Sequence, residues 1–286
     1  MLESATNPGP IEAAVQAPSE QLIAKGSKGS APDALSLAET YHVVKGKRAD
    51  TGIESLIDPA IDNRTRILET TLPPWRMICS LSIESTFGPS IPGTGWLAGP
   101  STVITAGHCV HALERGGWAT KIDVTPGQNG VDQKPYGQFQ SRSFNCTKRW
   151  RDDADPDYDI GCIQLSEPIG NEVGWFGMRV LDGAELSQWH LNLSGYPLKP
   201  GQGVEQRFHS NSVHKLTDHR VYYQIDTTSG NSGGPVWIQD VAADDAPYCV
   251  AIHAYSVGDG VNANSGPRIN SDVFDLIQSW VADAAG

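Results

Sequence analysis

The 286-residue chain contains no apolar run near the roughly 20 residues that cross a bilayer, so no membrane-spanning helix is expected. It also lacks any Lys/Arg-rich stretch. With 21 Lys and Arg against 33 Asp and Glu the formal net charge is -12, which argues against a nucleic-acid partner, because phosphate binding needs a basic face. Cysteines are few: Cys79, Cys109, Cys146, Cys162 and Cys249 show none of the close pairing of a zinc site. Disulfides or inert buried thiols are therefore the alternatives, and the odd count leaves at least one unpaired within the chain. The first residues, MLESATNPGP, lack the basic and apolar segments of a signal peptide, so either an unusual export route or prior removal of a signal is expected.

Chain breakers, by contrast, are plentiful. Thirty glycines and 19 prolines predict many turns and a β-rich fold. Short strand candidates follow one another between those turns: MICSLSI (77–83), STVITA (101–106), DIGCIQL (159–165), RVYYQI (220–225), PVWI (235–238) and YCVAIHA (248–254). Near the C-terminus, Asn270 or Ser271 can cap a helix that places Val273, Phe274, Ile277, Trp280 and Val281 on one face. Residues 1–54, rich in Ala, Ser, Pro and Gly and without sustained periodicity, read as a largely irregular leader or propeptide before a domain spanning 55–286.

The chemistry-bearing residues sit in suggestive places. Ser232 lies in S-G-N-S-G-G-P (229–235), where glycines permit a tight turn that lets the Gly230 and Ser232 amides converge on one point. His108 ends the apolar strand STVITAGHC, and Asp159 opens DIGCIQL, so both project from strand ends. A serine nucleophile, an imidazole base, an orienting carboxylate and two oxyanion donors are what acyl transfer from a peptide requires, with no metal or organic cofactor. Each residue alone is more often structural; their joint appearance carries the reading. G-N-S-G-G also fits the G-x-S-x-G pattern of α/β-hydrolases, but PVWI reads as a strand where that fold needs a helix, and His253 is the sole later histidine.

In the order His, Asp, Ser, the motifs T-A-G-H-C, D-I-G-C-I-Q-L and G-N-S-G-G-P resemble the chymotrypsin superfamily. That resemblance implies an all-β fold of two perpendicular six-stranded antiparallel β-barrels with the triad in the cleft. The first barrel is expected over about 70–170, the second over about 175–268, and the C-terminal α-helix over about 271–283. Further segments, among them RTR (64–66), TPGQNG, QLSEPIGNEVGWFG (164–177), SGYP (194–197) and PRINSDVFDLIQSW, look like the V8-like glutamyl endopeptidases, from about residue 55 to the end.

In that branch a hydroxyl five residues before the serine and a histidine in a G/A-I/V-H strand bind the P1 carboxylate. Those positions here are Thr227 and His253, which implies preference for Glu, then Asp. Asp226 supports a rival, because trypsin-like enzymes place at the position six before the serine the carboxylate that attracts Arg or Lys. Asn231 stands where trypsin-like zymogens use Asp to hold a new α-amino group, so that salt bridge cannot form. The V8-like resemblance instead implies that a freed α-ammonium helps neutralise the substrate carboxylate, and cleavage after Glu54 is the expected activation.

Cys109 resembles a family half-cystine, but Gly93 occupies the usual partner position. The expectation is that Cys79 substitutes, that Cys146 pairs with Cys162, and that Cys249 stays free. Sequons at Asn63, Asn145 and Asn192 are compatible with glycosylation. The expected protein is a secreted, monomeric serine endopeptidase acting on proteins or peptides, with no nucleic-acid or membrane partner. A protease-fold domain used only for binding is the remaining alternative class.

Overall fold

A computed structural model describes residues 2–7, 62–239, 246–256 and 261–284. The Glu54–Ser55 bond and most of the expected leader lie outside the described residues.

The first sheet is built from β1 (Ser4–Thr6), β3 (Ile78–Glu84), β4 (Ile91–Leu97), β5 (Thr102–Thr105), β8 (Lys121–Pro126), β9 (Phe139–Ser141), β10 (Ser143–Thr147) and β11 (Gly161–Gln164). Its order is β1-β10-β11-β5-β4-β3-β8-β9, antiparallel throughout. The second sheet contains β12 (Gly177–Met178), β13 (His190–Gly195), β14 (Arg207–Leu216), β15 (Arg220–Tyr223), β16 (Pro235–Ile238), β17 (Tyr248–Ile252) and β18 (Asn264–Pro267). Its order is β12-β17-β16-β13-β14-β15-β18, with β2 (Thr65–Arg66) added on β14. A small ribbon of β6 (His111–Ala112) and β7 (Gly117–Trp118) lies beside the first sheet in sequence. Both large sheets curl into half-barrels, as expected, and short edge strands extend each beyond six.

The inward faces of the strands supply the two barrel cores. In β3 the buried residues Leu81 and Ile83 are separated by exposed Ser82, and with Val103, Val124, Phe144 and Ile163 they fill the first barrel. Leu191, Leu193, Val213, Val221, Val236 and Val250 fill the second. An aromatic wedge joins the two. Trp96 of β4 meets Phe176 edge-on at 5.9 Å, and Phe176 lies 5.6 Å from Trp237 of β16. Of the helices α1 (Gly107–Val110), α2 (Lys148–Asp153), α3 (Gly170–Val173), α4 (Gly183–Leu186) and α5 (Ser271–Asp283), only α5 is long, and it closes this wedge. Asn270 caps it by accepting from the Val273 amide at 3.1 Å. Val273, Leu276, Ile277 and Trp280 are its buried residues; Phe274 and Val281 pack partly.

The disulfide expectation does not hold. All five cysteines are buried free thiols. In the β10–β11 pair Asn145 faces Cys162 while Cys146 faces Gly161, and directly opposed residues share a face. Cys146 and Cys162 therefore leave adjacent strands on opposite faces, one entering the first barrel and the other the aromatic wedge. Cys79 and Cys109 share the first-barrel core, but the Cys109 thiol turns toward the Ser232 carbonyl at 3.7 Å. Burial pushes the Cys79, Cys162 and Cys249 thiols well up, and Cys146 to about 12, which makes them poor nucleophiles. Of the sequons, Asn192 is fully buried within β13.

Candidate active site

The site forms where β5 ends. Ala106 is extended, and the chain then turns into the single helical turn of α1, which presents His108. Gly107 is required by close approach: a Cβ there would lie 2.6 Å from Cδ1 of Trp150 and 2.9 Å from Oδ1 of Asp159. Asp159 follows a 3-10 turn (Pro156–Tyr158) and is fully buried. Its carboxylate meets the histidine at two points. The His108 amide donates to Oδ1 at 2.8 Å, and Nδ1 lies 2.7 Å from Oδ2. That geometry fixes the ring and leaves Nε2 as its other polar atom, on a side chain that is 27% exposed. Burial works against the imidazolium, but the Asp159 charge and hydrogen bond outweigh it, so the His108 pKa stands well above its usual value.

The loop that carries Ser232 is tied to the first barrel by Thr94, one buried residue of β4. The Thr94 amide donates to the Ser232 carbonyl at 2.9 Å, and its hydroxyl donates to the Gly230 carbonyl at 2.7 Å. Gly230 sits at φ +99°, a conformation that disfavours any side chain. Among the described residues the Gly230 and Ser232 amides have no backbone carbonyl partner, while the intervening Asn231 amide is tied to Thr228 at 3.0 Å.

The expected pocket residues converge through neighbours that sequence reasoning did not single out. Tyr223 of β15 places its hydroxyl 2.8 Å from Nδ1 of His253. Opposite Tyr223 in the ladder stands Asn264, whose Nδ2 donates to Thr227 Oγ1 at 2.8 Å. Burial, reinforced by the nearby His108, pushes the His253 pKa down to about 3, so its imidazole is neutral. Asp226 is engaged by Asn63. Its Oδ2 accepts from both the backbone amide and the side-chain amide of Asn63, at 2.9 and 2.8 Å, and its amide donates to His209.

Thr94, Tyr223 and Asn264 carried no legible signal, because each works through a tertiary neighbour. Tyr255 is a fourth such residue, lying 6.3 Å from the His108 ring; burial and the nearby Asp159 carboxylate hold its phenol protonated.

The trypsin family profile matches residues 68–281. The chain belongs to the trypsin family. It is 37% identical over 235 residues to the glutamyl endopeptidase of Bacillus licheniformis, covering 82% of this chain and 71% of that protein. It is 36% identical over 224 residues to a Bacillus subtilis protein named extracellular metalloprotease, covering 77% and 68%. Among solved structures, a Glu endopeptidase in complex with MPD superposes with a TM-score of 0.68 at 28% identity, covering 78% of this chain and 98% of that one. This trypsin-family chain is a serine endopeptidase whose substrates are proteins or peptides. The word metalloprotease in the one relative's name finds no counterpart in the donor set: among the described residues no three His, Cys, Asp or Glu are grouped to hold a metal ion.

Proposed function

We propose that this trypsin-family protease is a secreted glutamyl endopeptidase, cutting after Glu and more slowly after Asp. The observation that carries the reading is the buried, neutral His253 tied to Tyr223. With Tyr223 donating to Nδ1, His253 keeps its proton on Nε2 and becomes a hydrogen-bond donor for an anion. Thr227, whose oxygen already accepts from Asn264, likewise has its own proton to give. The rival preference for Lys or Arg needs Asp226 in the pocket, and both bonds to Asn63 argue against that.

In the proposed reaction His108 takes the Ser232 proton as Oγ bonds to the scissile carbonyl carbon, and Asp159 stabilises the imidazolium. The Gly230 and Ser232 amides hold the oxyanion. Collapse breaks the C–N bond, with His108 returning the proton to the leaving amine. Water, deprotonated by His108, then hydrolyses the acyl-enzyme.

Two neutral donors leave a P1 carboxylate poorly compensated for its lost hydration, so an α-ammonium released after Glu54 completes the proposed site. N-terminal sequencing of active enzyme checks this; a mature terminus beyond Arg64 contradicts it. Secretion is supported by the word extracellular in the name of one relative. The pocket is tested with Thr227→Val and His253→Gln on paired peptides bearing Glu or Gln at P1. Loss of the Glu-over-Gln preference is expected. An unchanged preference overturns the pocket assignment, and absence of a fluorophosphonate adduct on Ser232 overturns the triad.

A further inference from the structure

Residues 2–7 lie along the outer edge of the first barrel. Ser4, Ala5 and Thr6 pair antiparallel with Thr147, Cys146 and Asn145, so β1 covers what is otherwise the bare edge of β10. The contacts run past the strand on both sides. The Lys148 amide donates to the Glu3 carbonyl at 2.9 Å, and the two side chains form an ion pair. The Asn7 amide donates to the Phe144 carbonyl at 3.0 Å, and Asn7 Oδ1 accepts from the Phe144 amide at 2.8 Å. Ala5 is 3% exposed, inserted into the first-barrel core. Ser4 Oγ accepts from the indole N–H of Trp280 at 2.9 Å, which ties the strand to α5 as well.

We infer that residues 2–7 are a docked peptide ligand of the protease domain, which stays on the Ser143–Thr147 edge after the chain is cut between residues 8 and 61. The processed enzyme is then a non-covalent complex of two pieces. Strand addition supplies the main-chain bonds, while the buried Ala5 and the Asn7 clamp set the register. The location gives the docked strand a task. Its partner Thr147 accepts from the Trp150 amide to cap α2 and donates to the Tyr158 carbonyl, one residue before Asp159. The strand therefore braces the segment that carries the carboxylate.

The test uses the full chain with Ser232→Ala, which removes self-cleavage and makes the outcome independent of P1 preference. A recognition sequence for a foreign site-specific protease is inserted between Ser27 and Lys28, and the cut protein is passed over a sizing column and weighed by mass spectrometry. The N-terminal fragment is expected to co-elute one-to-one with the domain. With Ala5→Asp, which forces an unpaired carboxylate into a buried position, the retained fraction falls about tenfold or more. Asn7→Ala, which alters no barrel residue, gives a smaller loss in the same direction. Amide exchange at Phe144 and Lys148 stays slow in the cut parent and accelerates in the variants. Free elution of the parent fragment, or equal retention in parent and both variants, overturns the inference.

Discussion

Arg64 Nη1 donates to the side-chain oxygen of Asn231 at 3.1 Å, immediately beside the candidate nucleophile. The guanidinium is almost fully enclosed: it also donates to Thr228 Oγ1 and the Lys199 carbonyl, and it pairs with Asp62. Where trypsin-like zymogens hold a new α-amino group with an aspartate, a neutral amide here receives an upstream arginine. The segment 62–66 is thereby wired to the Ser232 loop.

Arg64→Ala leaves the Asn231 and Thr228 oxygens without this donor, a loss of about 1–3 kcal/mol for such groups. The expected result is a fall in kcat of roughly 10- to 100-fold with little change in KM, since the loop that carries the proposed oxyanion donors loses its anchor. Steady-state kinetics on a P1-Glu peptide checks this, and a wild-type kcat contradicts it.

The raised His108 pKa bears on activity directly. A general base must be neutral, so kcat/KM should fall on acidification through a value above the ordinary histidine pKa of about 6.5. Asp159→Asn should move that limb downward and reduce kcat by about four orders of magnitude. A wild-type acid limb below pH 6.5, or one that Asp159→Asn leaves in place, contradicts the assignment.

His253 bears instead on stability. In the folded protein it stays neutral down to about pH 3, whereas in the unfolded chain it takes a proton near pH 6.5. Between those values the unfolded state binds more protons, so stability present above about pH 6.5 is lost as the pH falls toward 3. Thermal melts from pH 7 to pH 4, made on Ser232→Ala protein, should show a shallower decline when His253→Gln is added. Parallel declines contradict a neutral buried His253.

The cysteines offer a chemical check. In denaturant without reductant, five thiols should react. A Cβ on Gly93 would lie 3.4 Å from Cys109 Sγ, with Ile83 Cδ1 at 2.9 Å having to shift. Gly93→Cys is therefore expected to form a bridge to Cys109 under oxidising conditions, restoring the pairing that the V8-like resemblance implies. Mass spectrometry that finds six reactive thiols after oxidation contradicts this placement.

What could be read in advance follows a physical divide. PVWI (235–238) and the helix 271–283 were legible to the residue, because a short apolar run bounded by turn residues and an Asn cap are local signals. His108 and Asp159 were singled out as strand-end residues, and the structure joins them through Nδ1 and Oδ2 at 2.7 Å. The cysteine pairing was not legible. It depends on which face of β10 and β11 each thiol leaves from, and register is a tertiary property. Arg64 and Thr94 were likewise hidden, for their partners lie more than a hundred residues away. Asp226 is the instructive case: its position in the sequence suggested a pocket carboxylate, and its bonds to Asn63, far away in the chain, could not be read there.

The central claim is specificity for a P1 carboxylate, and the most direct measurement is cleavage of an unbiased peptide library by processed enzyme and by Ser232→Ala in parallel. Cleavage after Glu, weaker cleavage after Asp and no cuts by the variant are predicted. Serine-dependent cleavage after Lys or Arg would contradict the account.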